Sequence, residues 1–129
     1  MAKAFKLPKT IIDAHNHLWG GDDGTKMLAR MDELGIEKTV IMGAPGDFRF
    51  LNDGVVKACR RFPKRFIGGA YYDPREGKKA IAALKRYAGE GLRIVKLFPN
   101  LGYFPDDPKY GAFFDQVADL KMGVLSHNG

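Results

Sequence analysis

The sequence has little cysteine, no long hydrophobic run and no low-complexity segment. One cysteine, Cys59, occurs among 129 residues, so a disulfide within the chain is excluded. No apolar run approaches the roughly 18 residues that a membrane-spanning helix needs. The basic segment 1–12 is followed by no apolar stretch and no cleavage site, which argues against a secretory signal. These absences favour a reducing compartment, and we expect a cytoplasmic protein that is not bound to a membrane.

The chain is basic, with 21 Lys and Arg against 15 Asp and Glu and a net charge of +6. A charge of this sign makes nucleic acid or a membrane surface worth considering as a partner. The densest basic group lies at the end of a predicted helix and consists of Lys57, Arg60, Arg61, Lys64 and Arg65. No aromatic stacking motif accompanies this group. We therefore interpret it as a solvated helix end and expect no nucleic-acid partner.

Short β-branched runs alternate with amphipathic segments along the whole chain. The runs begin near residues 10, 38, 65, 92 and 124, and apolar residues on both faces are typical of buried parallel strands. Apolar residues at i, i+1, i+4 and i+7 between the runs predict four helices, each with one stripe facing a sheet. The repeat of roughly 26 to 31 residues has the size of a βα unit. The sequence therefore predicts one α/β domain over residues 1–129, with five parallel strands.

Polar residues and glycines indicate where several helices begin and end. Asp73 is followed by Pro74 and, three positions on, by Glu76, a pattern typical of a helix N-terminus. Gly35 and Gly123 are placed where the first and last helices would stop. We therefore expect the third helix to start at Pro74.

The strongest chemical signal is IIDAHNHLW, from Ile11 to Trp19. Side chains alternate along a strand, so Asp13, His15 and His17 are predicted to share one face. Two imidazoles at i and i+2 can bind one divalent cation at about 2.0–2.1 Å. A His-x-His pair by itself is nevertheless more often structural or incidental than a metal site.

His127 strengthens the metal interpretation because it closes the fifth predicted strand. All three histidines of the chain lie at the ends of predicted parallel strands, and none lies on a helix face. In parallel α/β proteins the functional sites lie where the strands end. We predict that His15, His17 and His127 bind a divalent metal. The alternative is that His127 is merely a polar residue at a strand end.

Lys96 lies inside the apolar run RIVKLF, and a lysine there needs a physical reason. It could bind a substrate carboxylate, pair with Asp13 or become a carbamylated metal ligand. Alternatively, its stem is buried while its ammonium group reaches water. Trp19 and Asn100 are predicted near the same end of the sheet, although Trp19 is equally consistent with simple packing. Lys96, Trp19 and Asn100 are thus candidate substrate-binding residues, and the sequence identifies no catalytic residue.

Three segments, IIDAHNHLWG, GLRIVKLFPNLGYFPDDPKY and VLSHNG, resemble the amidohydrolase superfamily. The similar branch includes aminocarboxymuconate semialdehyde decarboxylase and related decarboxylases and lactonases. The resemblance extends over essentially the whole chain and implies a TIM (β/α)8 barrel with a divalent cation at its carboxyl face. It implies that His15 and His17 are first-strand ligands and His127 the fifth-strand ligand. Zinc is the expected metal, with manganese or iron as alternatives.

The resemblance also implies the reaction class: metal-dependent hydrolysis or decarboxylation of a small carboxylated or cyclic substrate. Family members carry a further histidine after the sixth strand and a catalytic aspartate after the eighth. A full barrel takes about 250 residues, and this sequence ends at Gly129. We therefore expect about the first five strands of such a barrel, a truncated form that lacks full activity.

An open five-stranded piece of a barrel leaves two sheet edges unpaired. Such a piece must pair with another chain, keep an open sheet or be unstable, and pairing could produce a homodimer. The alternative function is a non-catalytic open α/β binding or interaction module with vestigial histidines. The two interpretations differ in whether replacing His15 or His127 changes metal affinity without changing the fold.

Overall fold

The computed structural model describes residues 8–18, 21–46 and 48–128, with the backbone alone for residues 48–50. Strands and helices alternate strictly. The strands are β1 (Ile12–His17), β2 (Lys38–Met42), β3 (Phe66–Tyr71), β4 (Ile94–Leu97) and β5 (Gly123–Ser126). The helices are α1 (Thr25–Leu34), α2 (Phe48–Arg61), α3 (Lys78–Gly89) and α4 (Gly111–Asp119). The five predicted strands and four predicted helices are confirmed.

The five strands form one parallel sheet in chain order, from β1 through β5. Sequential order, with a helix after each of the first four strands, is the arrangement of a (β/α) barrel, whereas a doubly wound sheet reverses its order. The sheet curls into half of a barrel, and β1 and β5 lie at its two edges. The predicted partial TIM-barrel fold is therefore confirmed.

The core lies between the outer face of this sheet and the four helices. Its members are apolar or aromatic and almost fully buried, and they include Ile41, Tyr72, Leu84, Val95 and Phe113. Burial of apolar surface stabilises by about 25 cal/mol per Å², so this layer holds the helices on the sheet. The edge strands are less covered: Ile12 on β1 is 54% exposed and Val124 on β5 is 51% exposed.

β1 contains an irregularity that the sequence did not reveal. The β1–β2 register shifts between Asp13, which pairs with Thr39, and Asn16, which pairs with Ile41. Because Thr39 and Ile41 share a face of β2, Asp13 lies on the side of Asn16, and the Asn16 amide donates to its carboxylate at 3.0 Å. The prediction that Asp13 shares the face of the two histidines is therefore wrong, since an extra residue interrupts the alternation.

The predicted start of the third helix is also wrong. Asp73 accepts a hydrogen bond from the Arg75 backbone N–H at 3.0 Å, as a capping residue does. It caps only a short 3₁₀ turn, Pro74–Glu76, because Gly77 follows with a φ of +55°. α3 then begins at Lys78.

The two predicted helix stops have different outcomes. Gly35 ends α1 in the left-handed conformation with a φ of 68°, so that prediction is confirmed. Gly123 is instead the first residue of β5, and α4 has already ended at Asp119. The non-glycine residue Lys121, with a φ of 53°, makes the left-handed turn there.

A buried amide on α2 joins the end of β3. The Asn52 side chain donates to the Tyr71 carbonyl at 3.0 Å and accepts from the Tyr71 N–H at 2.9 Å. Gly43, just after β2, makes room for it, since a Cβ there would lie 2.0 Å from the Asn52 oxygen. Asn52 thus continues the sheet's hydrogen bonding where β3 ends.

Replacing Asn52 with alanine should lower the free energy of unfolding by about 2–4 kcal/mol, because two buried backbone groups of Tyr71 would lose their partners. Urea unfolding followed by circular dichroism measures this difference. Asn100→Ala, at an exposed position, is the matched control and should stay within about 0.5 kcal/mol of wild type. An equally small effect of Asn52→Ala would show that the amide bridge does not stabilise β3.

Candidate metal centre

Four of the residues singled out in the sequence, His15, His17, Lys96 and His127, lie where strands end, along an edge that we call the carboxyl edge of the sheet. β1 ends at His17, and β5 is followed directly by His127. Lys96 is the penultimate residue of β4. Since all five strands are parallel, these ends lie along one side of the half-barrel.

His15 and His17 form a close pair. Their Nε2 atoms are 3.1 Å apart, and their rings meet edge to face with centroids 5.1 Å apart. For a cation 2.0–2.1 Å from both nitrogens, the N–metal–N angle would be about 100°, which lies between the octahedral and tetrahedral values. The two imidazoles therefore fit a shared divalent cation.

The backbone of β2 fixes which nitrogen of His17 can bind a metal. The Nδ1 atom of His17 lies 2.9 Å from the carbonyl oxygen of Met42. A carbonyl only accepts, so Nδ1 carries the proton and the Nε2 lone pair of a neutral His17 points toward His15. Metal-binding histidines are commonly oriented by a hydrogen bond of this kind from the other ring nitrogen.

The surroundings favour the neutral form of both rings. Burial lowers the pKa of His15 from its usual value, and the positive charge of Lys96 lowers it further. Burial also lowers the pKa of His17, against the opposing effect of the hydrogen bond to Met42. A lower pKa makes the lone pairs available at neutral pH, and metal binding requires deprotonated imidazole.

His127 lies on the same edge but is held by other contacts. Its backbone N–H donates to the Leu97 carbonyl at 2.9 Å. Its ring stacks on Phe98, with centroids 5.0 Å apart and planes 21° from parallel. Within the described part of the chain, no three His, Cys, Asp or Glu side chains form a metal-binding group. The structure thus brings two of the three predicted ligands together, and His127 as a third ligand stays a prediction.

Lys96 is fully buried, with 0% of its surface exposed, although its sequence position allowed a solvent-reaching ammonium group. Its Nζ has no hydrogen-bond partner among the described residues and lies 4.9 Å from the centre of the Phe98 ring. Asp13 accepts hydrogen bonds from the His15 backbone N–H and from the Asn16 side chain instead, so the pairing with Lys96, one of the alternatives left open by the sequence, is not formed. Burial lowers the pKa of Lys96.

The structure says little about Asn100 and Trp19, the other two candidate substrate-binding residues. Asn100 is exposed in a 3₁₀ turn, Pro99–Leu101, that follows β4. Trp19 lies outside the described residues. Both therefore stay predictions as substrate-binding residues.

Two participants in this site, the Met42 carbonyl and the Phe98 ring, were missed in the sequence. The Asn52 amide, which supports the end of β3, was missed as well. A backbone carbonyl has no sequence signal, and Asn52 resembles any polar residue of an amphipathic helix. The phenylalanine at the end of an apolar strand is equally ordinary, since only the fold shows that it faces His127.

The basic group at the end of α2 is largely ion-paired. Arg60 pairs with Glu90 on the segment after α3, and Arg61 pairs with Asp23. Arg65 contributes a third pair and bonds to backbone carbonyls before β2. These contacts agree with the interpretation of a solvated helix end and add ion pairs to it.

No family model and no curated protein matches the sequence. Solved structures do match. A protein from Staphylococcus aureus, classed by inference as an amidohydrolase, is 17% identical with a TM-score of 0.75, over 93% of this chain and 48% of that one. The 2,6-dihydroxybenzoate decarboxylase from Rhizobium is 19% identical with a TM-score of 0.74, over 94% and 50%.

A third structure carries a metal and a carboxylated aromatic ligand. It is 5-carboxyvanillate decarboxylase from Novosphingobium aromaticivorans, complexed with manganese and 4-hydroxy-3-methoxy-5-nitrobenzoic acid. It is 22% identical with a TM-score of 0.74, over 82% of this chain and 34% of that one.

Identities this low establish the fold alone. This chain spans half or less of the length of these three structures. None of its described helices is long and apolar enough to cross a membrane. The chain shares the half-barrel fold of these structures, which is the fold that its sequence resemblance implied.

Proposed function

We propose that the chain carries the metal-binding half of an amidohydrolase-type active site, which hydrolyses or decarboxylates a small carboxylated aromatic or cyclic substrate. The observation that carries the proposal is the His15–His17 pair, with Nε2 atoms 3.1 Å apart at the carboxyl edge of a half-barrel. His127 is proposed as a further ligand. Zinc is the proposed metal, and the manganese in the similar decarboxylase makes manganese the first alternative to test.

Several residues of this chain would have separate roles in such a site. A bound divalent cation would supply Lewis acidity and lower the pKa of water. His15 and His17 would hold that cation, and the Met42 carbonyl keeps the His17 ring in the required tautomer. The buried ammonium group of Lys96, which lacks a hydrogen-bond partner, would receive a substrate carboxylate. No residue of this chain is proposed as the proton-transfer group.

Completion of the barrel is part of the proposal. β1 and β5 each have an unpaired edge in the described sheet, and apolar side chains of both are half exposed. Two copies could pair β5 of one with β1 of the other in parallel, so that all carboxyl edges stay on one side. The competing function is a non-catalytic module that uses the same edges to recruit a different partner.

The purified chain should show a two-copy mass with bound metal in native mass spectrometry when Zn²⁺ or Mn²⁺ is supplied. Turnover is then measured as CO₂ release from 2,6-dihydroxybenzoate and 5-carboxyvanillate, with a chelator-treated sample as control. Metal binding that is lost in His15→Ala supports the proposed metal site. Metal-dependent turnover that is lost in the same variant would also overturn the expectation that this form lacks full activity. A folded chain that binds neither metal contradicts the proposal and favours the non-catalytic module.

A further inference from the structure

The ring of Phe98 is the centre of a cluster at the carboxyl edge. It stacks on His127, lies under the Nζ of Lys96 at 4.9 Å and meets Tyr71 edge to face at 5.5 Å. Phe98 therefore contacts a proposed metal ligand and the proposed substrate-binding lysine at the same time. Among the described aromatic rings, Phe98 alone contacts both.

Phe98 is itself held in place from the loop after β4. Its backbone N–H donates to the hydroxyl of Tyr103 at 3.1 Å, and Tyr103 is buried against Tyr110. The guanidinium of Arg75 covers the Tyr103 ring and donates to the Leu101 carbonyl. The backbone of Phe98, directly after β4, is thus tied to the following loop, and its ring is packed against Tyr71.

We propose that Phe98 is a positioning residue that sets the plane of the His127 imidazole and holds the ammonium group of Lys96 beside it. A flat aromatic face restricts rotation of a stacked imidazole, and the face of the same ring attracts a cation. The His127 backbone is tied to Leu97 through its N–H. Its ring orientation therefore depends on the neighbouring side chain, in the way that outer partners orient metal ligands. This inference rests on the proposed metal function and adds a residue to it.

Phe98→Leu removes the flat face while keeping an apolar side chain, and Phe98→Tyr keeps the face. Phe104→Leu is the matched control, because Phe104 lies in the loop after β4 and is 79% exposed. Co²⁺ is the probe, since it shifts the NMR signals of each imidazole that it binds. We expect Phe98→Leu to weaken Co²⁺ binding about tenfold and to lose the shifted signals of His127 alone. Phe98→Tyr and Phe104→Leu should keep all three sets of shifted signals.

Each outcome decides the inference. Unchanged Co²⁺ affinity and unchanged His127 signals in Phe98→Leu would overturn it, and so would a loss of His15 and His17 signals together with those of His127. If Phe98→Leu does not fold, Phe98→Met provides the same comparison. If wild type binds no Co²⁺, the proposed function fails. The NMR signals of the His127 ring in the metal-free protein then decide. Signals of a single ring conformer in wild type and Phe98→Tyr, together with signals averaged over several conformers in Phe98→Leu, would support the positioning role. Identical His127 signals in all three chains would overturn it.

Discussion

Replacing His17 with alanine should weaken Zn²⁺ binding by more than about 100-fold while the chain keeps its fold. Outer partners that merely orient a ligand change metal affinity by roughly 10- to 100-fold, so loss of a ligand should exceed that range. His17 is the better-fixed member of the pair, because its Nδ1 is held by the Met42 carbonyl at 2.9 Å. Isothermal titration calorimetry with Zn²⁺ measures the affinity.

His15→Ala should produce a loss of similar size, because each imidazole alone offers a single nitrogen. His127→Ala should have a smaller effect, since its ring stacks on Phe98, whereas the Nε2 atoms of His15 and His17 face each other. The matched control is Asp115→Ala, at an exposed position of α4. Wild-type affinity in both His15→Ala and His17→Ala would refute the metal centre, provided that circular dichroism shows folded chains.

The strands and helices that position this site could be predicted from the sequence, because they depend on repeating patterns. Buried β-branched runs and amphipathic stripes have fixed periods, so the order of strands and helices followed from them. The placement of His15, His17 and His127 at strand ends then followed from parallel pairing. A single inserted residue has no such period, and for that reason the shift between Asp13 and Asn16 was not foreseen.

The contacts that orient the site could not be predicted, because they join residues far apart in the chain. The Met42 carbonyl reaches His17 across 25 positions, and Asn52 reaches Tyr71 across 19. Neither pairing follows from the chemistry of one segment alone. The sequence did identify Lys96 as anomalous, since a charged residue in an apolar strand is costly wherever it lies. Its neighbour Phe98 carried no such signal.

Replacing Lys96 with methionine should raise the free energy of unfolding by about 1–3 kcal/mol at pH 7. Lys96 is 0% exposed and its Nζ has no hydrogen-bond partner among the described residues. Burial of a charge without such a partner is costly, and the Phe98 ring offsets only part of that cost. Methionine fills much of the space of the lysine stem and carries no charge. Binding of benzoate, a minimal carboxylate, should be lost in the same variant.

The stability gain of Lys96→Met should shrink at alkaline pH. Burial lowers the pKa of Lys96 from 10.5, so the folded chain releases this proton at a lower pH than the unfolded chain does. Below the folded pKa both states are charged and the full cost of burial applies. As the pH rises from the folded pKa toward 10.5, the folded lysine becomes neutral first and wild-type stability approaches that of the variant.

Urea unfolding of both chains at several pH values tests this dependence, and the difference between them cancels groups that titrate in both. Lys85→Met, at an exposed position of α3, is the matched control and should show no such trend. A Lys96→Met chain that is less stable than wild type at pH 7 would mean that the ammonium group has a partner that stabilises it. A gain that does not change with pH would mean that shape, and not charge, sets the cost. We expect Lys96→Met to be more stable than wild type and to lose benzoate binding. This combination would mean that Lys96 lowers the free energy of unfolding but is needed to bind an anionic ligand.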